Sequence, residues 1–344
     1  MNILLVTHKY YPHIGGVEYV TKSIAERLAM IGHHVTVLTG EPSTTQIKEE
    51  VVHGVNVIRW PTWTIRDSYH IPRMRNKLES MLKELAKKTD VVHIHNAHAV
   101  LPVYVGVKAK EFHPNIRLVF TPHYHAHGHT LIRELAWRTL WRRYIEKLIR
   151  YADKIHAVSI LEAKHIVNHY PEAWNKLIII PNGVEEDAFQ YKWKGRNSDY
   201  VMYAGRIERY KRLELAMDVA KKLGLRLLIV GQGPHRTKLK KYAEKKYRGV
   251  AEFLEPQPRD KYLELLSKAR YAINPSKHEA YSIFTAEALA IGVPAIISKE
   301  IAKNLKAESK PLNKELVLAV KAPVKTWNEI VQIYINELYK NSEV

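Results

Sequence analysis

Four charged residues in the second half of the chain could act together on a diphosphate. Arg206 and Lys211 follow one predicted strand, and Glu279 and Glu287 follow another. A guanidinium offers phosphate a planar fork and an ammonium offers a point charge, so the two cations suit a diphosphate; a solvated basic loop is the alternative. Glu287 lies among alanines and a leucine, where a carboxylate needs hydrogen-bonding partners. Ribose hydroxyls would be suitable partners, and a nucleotide site follows as the prediction.

The spacing between the two glutamates bears on whether they share a site. On one continuous helix, eight residues would separate them by about 12 Å of rise. Ser282, however, is a candidate N-cap. A helix that starts there leaves Glu279 in the preceding loop and places Glu287 inside the helix. We therefore expect both carboxylates near the end of the strand before them.

Two glycine-rich segments also follow predicted strands. Gly15 and Gly16 stand directly before a predicted helix, where a bare backbone lets a ligand approach and free amides favour an anion. This segment lacks the G-x-G-x-x-G pattern of dinucleotide-binding folds, and a plain tight turn is the alternative. Gly231 opens the second segment, at another strand end, and is a further candidate for ligand binding.

Histidines concentrate in the first half, which holds 17 of the 19 in the chain. Strand alternation would place His93 and His95 on one face, a pair that a metal could use. No carboxylate or cysteine completes a ligand set at suitable spacing, so we predict no metal site. We expect the imidazoles to line a polar cleft instead, together with Asn96, His125 and His123, the last best placed at the end of its strand.

The elements that would position these residues alternate between strands and helices. Nearly continuous Val, Ile and Leu runs predict strands of parallel sheets that are covered on both faces. In the first half they are Ile3–Thr7, His34–Thr39, Val91–Asn96, Arg117–Thr121, Lys154–Ser159 and Leu177–Pro181; in the second they are Tyr200–Ala204, Leu225–Val230, Ala251–Leu254, Tyr271–Asn274 and Pro294–Ser298. Apolar spacing predicts helices at Val17–Ile31, Leu213–Leu223, Arg259–Lys268 and Val324–Tyr339.

This alternation predicts two doubly wound α/β domains in tandem. The polar, irregular stretch Glu185–Ser198 is the predicted linker, and the domains are placed at residues 1–187 and 188–323. Ligands of such sheets bind beyond the carboxyl ends of the strands, where the candidate residues lie.

Composition narrows the class of protein. A chain of 344 residues, 46% hydrophobic and 26% charged, is globular and long enough for two cores. The absence of cysteine excludes disulfides, thiolate metal sites and a cysteine nucleophile. A net charge of +19 favours polyanionic partners such as nucleotide phosphates, nucleic acid or an acidic membrane. With neither a bilayer-spanning run nor a basic leader at the start, we expect a cytoplasmic protein.

Over most of its length the chain resembles the family 4 retaining glycosyltransferases, which have the GT-B fold. The matching segments are Gly15-Gly16-Val17-Glu18, Gly32-His33-His34-Val35, Asp90–His95, Thr121-Pro122-His123, Ala157-Val158-Ser159, Ile180–Val184, Gly205-Arg206-Ile207 with Lys211, Gly231-Gln232-Gly233-Pro234, and Pro275-Ser276-x-x-Glu279 through Glu287 to Pro294. The resemblance implies two Rossmann-like, parallel-sheet domains facing across a cleft. The first would be the acceptor side and the second would bind the nucleotide sugar, while a helix at 324–340 crosses back to the first.

The resemblance also implies a reaction and roles for side chains. A hexose-type sugar would move with retention from a nucleotide diphosphate to an acceptor hydroxyl, and no catalytic metal would be needed. Arg206 and Lys211 would stabilise the charge that grows on the leaving diphosphate. Glu287 would bind the donor ribose, Glu279 the sugar hydroxyls, and His123 the transferred sugar.

Backbone amides would complete the donor site by the same resemblance. The Gly16 amide would approach the phosphate from the first domain. The family often carries glycines after its first site glutamate, whereas Ala280 and Ser282 stand here, so the amides of Ile283 and Phe284 are expected to reach the phosphate. A glycine-free, Lys-rich segment at 299–325 replaces a glycine-containing loop of the family, and its role is left open.

The resemblance leaves the donor as a UDP-, GDP- or ADP-sugar, with no further cofactor expected. Segment 131–151 is basic and amphipathic and contains tryptophan, which suits peripheral docking on an anionic membrane to reach a lipid-linked acceptor. The alternative is that its apolar stripe packs on the first sheet.

Two other functions compete with sugar transfer. One is a nucleotide-sugar epimerase of similar build. The other is a basic nucleic-acid-binding protein, which charge alone supports because no recognition motif is present. We therefore expect no nucleic-acid partner.

Overall fold

The chain forms two α/β units, each with its own sheet. The computed structural model describes residues 1–13, 15–65, 68–124, 141–277 and 279–340. Unit 1 comprises Met1–Pro181 together with the C-terminal segment from Trp327, and unit 2 comprises Asn182–Thr326. Among the described residues, none of the helices combines the length and apolar character needed to cross a bilayer.

The described part of unit 1 contains a nine-stranded sheet. Its strands are β1 (Asn2–Thr7), β2 (His34–Glu41), β3 (Lys48–Val52), β4 (Val55–Ile65), β5 (Ser68–Pro72), β6 (Val91–His95), β7 (Arg117–Thr121), β8 (Lys154–Ala157) and β9 (Leu177–Ile179). They lie in the order β3-β4-β2-β1-β6-β7-β8-β9, with β5 paired to β4. The pairs from β4 through β9 are parallel, whereas β3 and β5 run antiparallel to β4.

Helices cover this sheet. They are α1 (Gly16–Met30), α2 (Arg75–Lys87), α3 (Val100–Phe112), α4 (Arg142–Tyr151) and α5 (Ile160–His169). In α4 the apolar side chains Ile145, Leu148 and Ile149 are buried in the core of unit 1. Within 141–151 the apolar stripe thus packs inward, which is the second of the two alternatives for this segment; residues 131–140 lie outside the described residues.

Unit 2 is built on a seven-stranded sheet in the described part of the chain. Its strands are β10 (Tyr200–Ala204), β11 (Arg226–Val230), β12 (Ala251–Leu254), β13 (Tyr271–Asn274), β14 (Ala295–Ser298), β15 (Glu308–Pro311) and β16 (Leu316–Lys321). The order is β12-β11-β10-β13-β14-β16-β15. The first five are parallel, and β16 runs antiparallel to both β14 and β15.

The helices of unit 2 are α6 (Leu213–Lys222), α7 (Arg236–Lys246), α8 (Arg259–Lys268), α9 (Ile283–Ile291) and α10 (Lys299–Asn304). The glycine-free segment 299–325 supplies α10 and the antiparallel hairpin β15–β16, so it extends the sheet at one edge. Both sheets are therefore mixed, with parallel strands at their centres and antiparallel strands added at their edges.

The last helix, α11 (Trp327–Tyr334), continues as a π-helical turn, Ile335–Tyr339. It starts later than the predicted Val324, because the residues before it pair in extended form: the Val184 amide donates to the Lys325 carbonyl at 2.9 Å. Trp327 is fully buried, and its indole N–H donates to the Tyr19 hydroxyl on α1 at 3.1 Å. This contact joins α11 to the α1 face of unit 1.

Candidate active site

The candidate donor site of unit 2 begins at Lys211. After β10 ends, a 3₁₀ turn at Arg209–Lys211 leaves this lysine only 8% exposed. Its Nζ donates to Glu279 Oε1 at 2.8 Å. Burial lowers the pKa of Lys211, but the charge of Glu279 and two neighbouring tyrosines raise that pKa by more, so it lies above its ordinary value. Lys211 is therefore a fixed buried cation at neutral pH.

Two asparagines that the sequence analysis missed hold Glu279 in place. Asn274, the last residue of β13, donates its side-chain amide to Glu279 Oε2 at 3.2 Å and to Ser282 Oγ at 2.8 Å. Asn304 donates to the Glu279 carbonyl at 3.0 Å. A polar residue closing an otherwise apolar strand was the available signal for Asn274. Nothing in the local pattern marks Asn304, which comes from a distant helix.

Arg206 takes a different partner. Its side chain is 67% exposed, and its Nε lies 2.8 Å from Glu208 Oε1. The structure therefore does not bring Arg206 and Lys211 onto one partner. The physical reason is burial: a buried ammonium requires a carboxylate, whereas an exposed guanidinium stays hydrated.

The two glutamates lie as their spacing predicted. The Ser282 hydroxyl accepts a hydrogen bond from the Thr285 amide at 3.3 Å and caps α9, while Gly292, at φ 89°, ends it. Glu279 stays in the loop and Glu287 lies inside the helix, so this prediction is confirmed. The first N–H groups of an α-helix have no carbonyl partner within the helix. The amides of Ile283 and Phe284, in the first turn of α9, can therefore bind an anion.

Glu287 is only 4% exposed and already has protein partners. The Tyr262 hydroxyl donates to its Oε2 at 2.6 Å, and the Arg259 guanidinium donates to its Oε1. Burial raises the pKa of Glu287 while Arg259 and Tyr262 oppose that shift, leaving the pKa above its ordinary value. The sequence analysis assigned ribose hydroxyls to this carboxylate and missed both protein donors, which lie on α8.

Gly231 is a glycine because two loops meet there. Its φ is 139°, and a Cβ on it would lie 2.2 Å from the Gly205 carbonyl oxygen. Its amide donates to the Leu254 carbonyl at 3.1 Å. Gly231 thus lets the loops after β10 and β11 pass backbone to backbone, and its own N–H is engaged within the sheet.

In unit 1, His93 belongs to a buried chain of neutral groups. His156 Nε2 contacts the Ile180 carbonyl at 2.8 Å, so this nitrogen carries the hydrogen. Burial lowers the pKa of His156 to about 4, so the ring is neutral. Its unprotonated Nδ1 accepts from the Thr121 hydroxyl at 2.9 Å. Thr121 in turn accepts from His93 Nε2 at 2.7 Å, and His93 Nδ1 accepts from the Tyr339 hydroxyl at 2.8 Å.

This chain corrects one prediction. His93 was expected to line a polar cleft, yet it is fully buried and both its ring nitrogens are bonded within unit 1. Burial also holds the pKa of His93 well below its ordinary value, so the ring stays neutral. Its polarity serves the packing of the C-terminal helix on the sheet.

The next two histidines lie further along the strand ends. His95 was also expected to line the cleft, but it is fully buried, with its Nδ1 3.1 Å from Nε2 of His123. Asn96 adopts a left-handed backbone, with φ 79°, and its side-chain amide lies 2.9 Å from Nδ1 of His8. The structure therefore pairs His95 with His123 and Asn96 with His8; His125 lies outside the described residues.

Glu162 fixes the backbone beside His123. Ser159 caps α5 by accepting from the Glu162 amide at 3.2 Å. The Glu162 carboxylate accepts from the amides of Tyr124 at 2.6 Å and Val158 at 2.8 Å. Burial raises the pKa of Glu162 to about 7, although the two amides oppose that shift. Ser-x-x-Glu was the available sequence signal, but it predicts only a helix cap.

The glycines before α1 differ in their surroundings. A Cβ on Gly15 would meet the Glu18 carboxylate at 2.2 Å, whereas a Cβ on Gly16 would meet no heavy atom of the described residues within 4 Å. Glu18 also lies 3.3 Å from Nε2 of His8. The start of α1 is thus open at Gly16. Among the described residues, no three His, Cys, Asp or Glu side chains are grouped as metal ligands.

Comparison with known families decides the class of protein. The model described as "Glycosyltransferase Family 4" matches residues 14–188, and "Glycosyl transferases group 1" matches residues 184–320. The chain belongs to glycosyltransferase family 4. The prediction from the sequence motifs is confirmed, and the epimerase alternative finds no support.

Relatives and solved structures agree with this family. The enzyme is 25% identical to glycogen synthase of Mycobacterium tuberculosis, over 87% of this chain and 78% of the relative. It is also 25% identical to alpha-monoglucosyldiacylglycerol synthase of Acholeplasma laidlawii, over 86% and 80%. Its fold is similar to Anabaena HepE, solved with UDP and glucose, at a TM-score of 0.66 and 15% identity over 98% of this chain and 92% of that one. The expected GT-B fold of this family 4 glycosyltransferase is thus confirmed.

Proposed function

We propose that this family 4 glycosyltransferase moves a hexose-type sugar from a UDP-, GDP- or ADP-sugar to an acceptor hydroxyl, with retention and without a catalytic metal. The observation that carries the proposal is the buried Lys211–Glu279 pair, which lies at the end of β13 and before the N-terminus of α9. A fixed cation beside free helix amides is suited to a diphosphate whose charge grows as the sugar leaves.

Each donor-site residue then has a task. Lys211 stabilises the leaving diphosphate from a buried position. Within the described residues Arg206 forms a surface ion pair with Glu208, worth about 1 kcal/mol or less, so its guanidinium can exchange that partner for a phosphate. The amides of Ile283 and Phe284 add hydrogen bonds from the start of α9.

Glu279 acts on the sugar by position rather than by attack. Lys211 and Asn274 each bind one of its carboxylate oxygens, which fixes the group and reduces its strength as a nucleophile. It is placed to accept hydrogen bonds from sugar hydroxyls. The departing phosphate, rather than a protein carboxylate, would take the proton from the acceptor, as front-face retention requires.

In unit 1, His123 contacts the transferred sugar and the Gly16 amide contacts the phosphate in this proposal. The support is the family resemblance, together with two structural features. The Glu162 carboxylate accepts from the amide of Tyr124, which follows His123, and the start of α1 is open at Gly16. His95 and Asn96 support the acceptor side. The domain roles follow: unit 1 takes the acceptor and unit 2 takes the nucleotide sugar.

A panel of UDP-, GDP- and ADP-sugars tests the proposal. We expect one nucleotide to raise the melting temperature, since a ligand that binds only the folded state stabilises it. Transfer from that donor should give a product with the donor's anomeric configuration and should persist in EDTA. Failure of every donor to shift the melting temperature would contradict the site, and inversion or full loss in EDTA would contradict the mechanism.

We further propose a lipid-linked or glycan acceptor and peripheral docking on an anionic cytoplasmic membrane surface. One relative is named for a diacylglycerol product, and the exposed face of α4 carries Arg142, Arg143 and Arg150. Because the apolar side chains of α4 are buried, docking there would rest on charge and should fade with salt. Flotation with anionic liposomes at low and high salt tests this proposal. If the enzyme binds the liposomes at neither salt concentration, the docking proposal is wrong.

A further inference from the structure

A network of charged side chains in unit 2 surrounds Glu287. Arg259, the first residue of α8, donates from Nε and Nη2 to both carboxylate oxygens of Asp187, at 3.0 and 2.7 Å. Its Nη1 donates to Glu287 Oε1. One turn later, the Tyr262 hydroxyl donates to Glu287 Oε2 at 2.6 Å. Each oxygen of Glu287 thus receives one protein hydrogen bond.

We propose that Arg259 and Tyr262 are positioning residues that hold the Glu287 carboxylate charged and oriented for the ribose diol of the nucleotide donor. This inference rests on the proposed function, which makes Glu287 the ribose ligand. A carboxylate oxygen can accept two hydrogen bonds. After the bonds from Arg259 and Tyr262, each oxygen of Glu287 keeps one acceptor direction, and two such directions match two adjacent ribose hydroxyls.

Asp187 gives Arg259 a defined orientation. A bidentate Arg–carboxylate pair fixes the plane of the guanidinium, which a single bond would not do. Arg259 and Asp187 are partly exposed, at 36% and 41% of their side-chain surface, whereas Glu287 is buried. The exposed end of the network thus anchors the buried end, and Glu287 is left with little freedom to rotate.

Charge is the second effect of the network. Burial raises the pKa of Glu287, Arg259 and Tyr262 lower it, and the charge of Asp187 raises it. Loss of Arg259 would therefore favour the protonated form of Glu287. A protonated carboxyl places a hydrogen where a ribose hydroxyl needs an acceptor, so donor affinity would fall as the pH is lowered.

The test uses Arg259→Met, Arg259→Lys and Tyr262→Phe in the full-length enzyme. Arg226→Met is the matched control, since Arg226 also bridges two carboxylates in unit 2, those of Asp199 and Glu252, away from the site. Donor KM and kcat are measured from acidic to neutral pH. UDP, GDP and ADP are first ranked by how much each stabilises the wild-type enzyme. Calorimetry then measures the affinity of each variant for the most stabilising of the three and for its 2′-deoxy counterpart.

We expect Arg259→Met to raise donor KM about 10- to 100-fold, the loss of a charge-assisted hydrogen bond, with a smaller change in kcat. Its preference for ribose over deoxyribose should shrink, and its affinity should weaken further at acidic pH. Arg259→Lys should restore part of the affinity because it keeps the charge. Tyr262→Phe should raise KM about tenfold or less, and Arg226→Met should leave KM unchanged.

Glu287→Gln separates this inference from the proposed function. If Glu287→Gln binds donor as the wild type does, the ribose site itself is wrong. The positioning role is overturned if Glu287→Gln loses donor affinity while Arg259→Met keeps wild-type affinity or gains affinity. A gain in Arg259→Met would mean that Arg259 blocks the ribose site. Should Arg259→Met fail to fold, the ribose preference and pH profile of Arg259→Lys and Tyr262→Phe decide the matter.

Discussion

Each unit contains a buried polar network, and the two networks described above differ in charge. Unit 1 links neutral groups end to end, from Tyr339 through His93 and Thr121 to His156. Unit 2 buries ionised groups in pairs, of which Lys211 with Glu279 is the clearest. Neutral chains avoid the desolvation cost of charge, whereas a buried ion pair carries that cost and leaves an uncompensated charge when one partner is lost. A buried ion pair thus lies at the position that we propose to bind the diphosphate, whereas the chain that packs the C-terminal helix of unit 1 is neutral.

The largest expected effect comes from Lys211→Met. Removing one preorganised electrostatic contact should lower kcat about 10²–10³-fold, equivalent to about 2.7–4 kcal/mol in the transition state. It should also destabilise the fold, because Glu279 loses its buried cation. Steady-state kinetics and thermal unfolding measure the two effects separately.

A double variant sharpens this first prediction. Lys211→Met with Glu279→Gln removes the orphaned charge, so stability should recover while activity stays low. Recovery of activity in the double variant would show that Lys211 supports only the fold. Arg226→Met, on the surface of the same unit, should change neither quantity appreciably.

An intermediate effect is expected for Glu162→Gln in unit 1. An amide NH₂ would face one of the backbone N–H groups of Tyr124 or Val158, so we expect a loss of about 1–3 kcal/mol in the free energy of unfolding. The pKa of Glu162 is about 7 in the folded state and near 4.5 when unfolded. The folded state thus holds a proton that the unfolded state releases, and this group's contribution to stability falls as the pH rises between those values.

That sign gives the measurement. The difference in stability between the wild type and Glu162→Gln should be larger at the acidic end of this range than at the neutral end. Glu172→Gln, at an exposed carboxylate of the same unit, is the control for the Glu-to-Gln change itself. A difference that grows with pH would mean that the folded state prefers the carboxylate, so that a buried charge lies beside Tyr124 and Val158.

The smallest effect is expected for Tyr339→Phe. It removes one neutral hydrogen bond to His93 and should cost about 1 kcal/mol in the free energy of unfolding, with kcat and KM unchanged. Thr121→Val breaks the chain at two bonds and should cost more. A change in kcat or KM of the folded enzyme would contradict the purely structural role of His93. It would also contradict the difference proposed between the two networks.

Sequence patterns missed β4 and the antiparallel strand β16, but they predicted all the other parallel strands and four of the helices. Each of those strands is a short run of apolar residues, and burial on both faces makes such runs distinctive. The edge strands β3, β5 and β15 were missed because they are polar; Lys48–Val52, for example, contains three charged residues. At a sheet edge one face meets solvent, so little apolar pattern is required.

The candidate site was predicted only as far as local sequence allows. Ser282 revealed the start of α9, and with it the separate places of Glu279 and Glu287. Their partners Asn304 and Arg259 come from elements that are adjacent only in the folded chain, and no spacing rule connects them. The prediction that His93 lines a cleft failed for a related reason. A histidine on a strand has the same local sequence pattern whether its partner is a ligand or a distant tyrosine.

The close approach of Gly231 to Gly205 sets limits on redesign. With a Cβ at Gly231 lying 2.2 Å from the Gly205 oxygen, the path of the loop that carries Arg206 is set by backbone against backbone, not by side chains that could be exchanged. Libraries built to alter donor preference should therefore leave both glycines unvaried. Diversity is better placed on α8, where side chains alone shape the surroundings of Glu287.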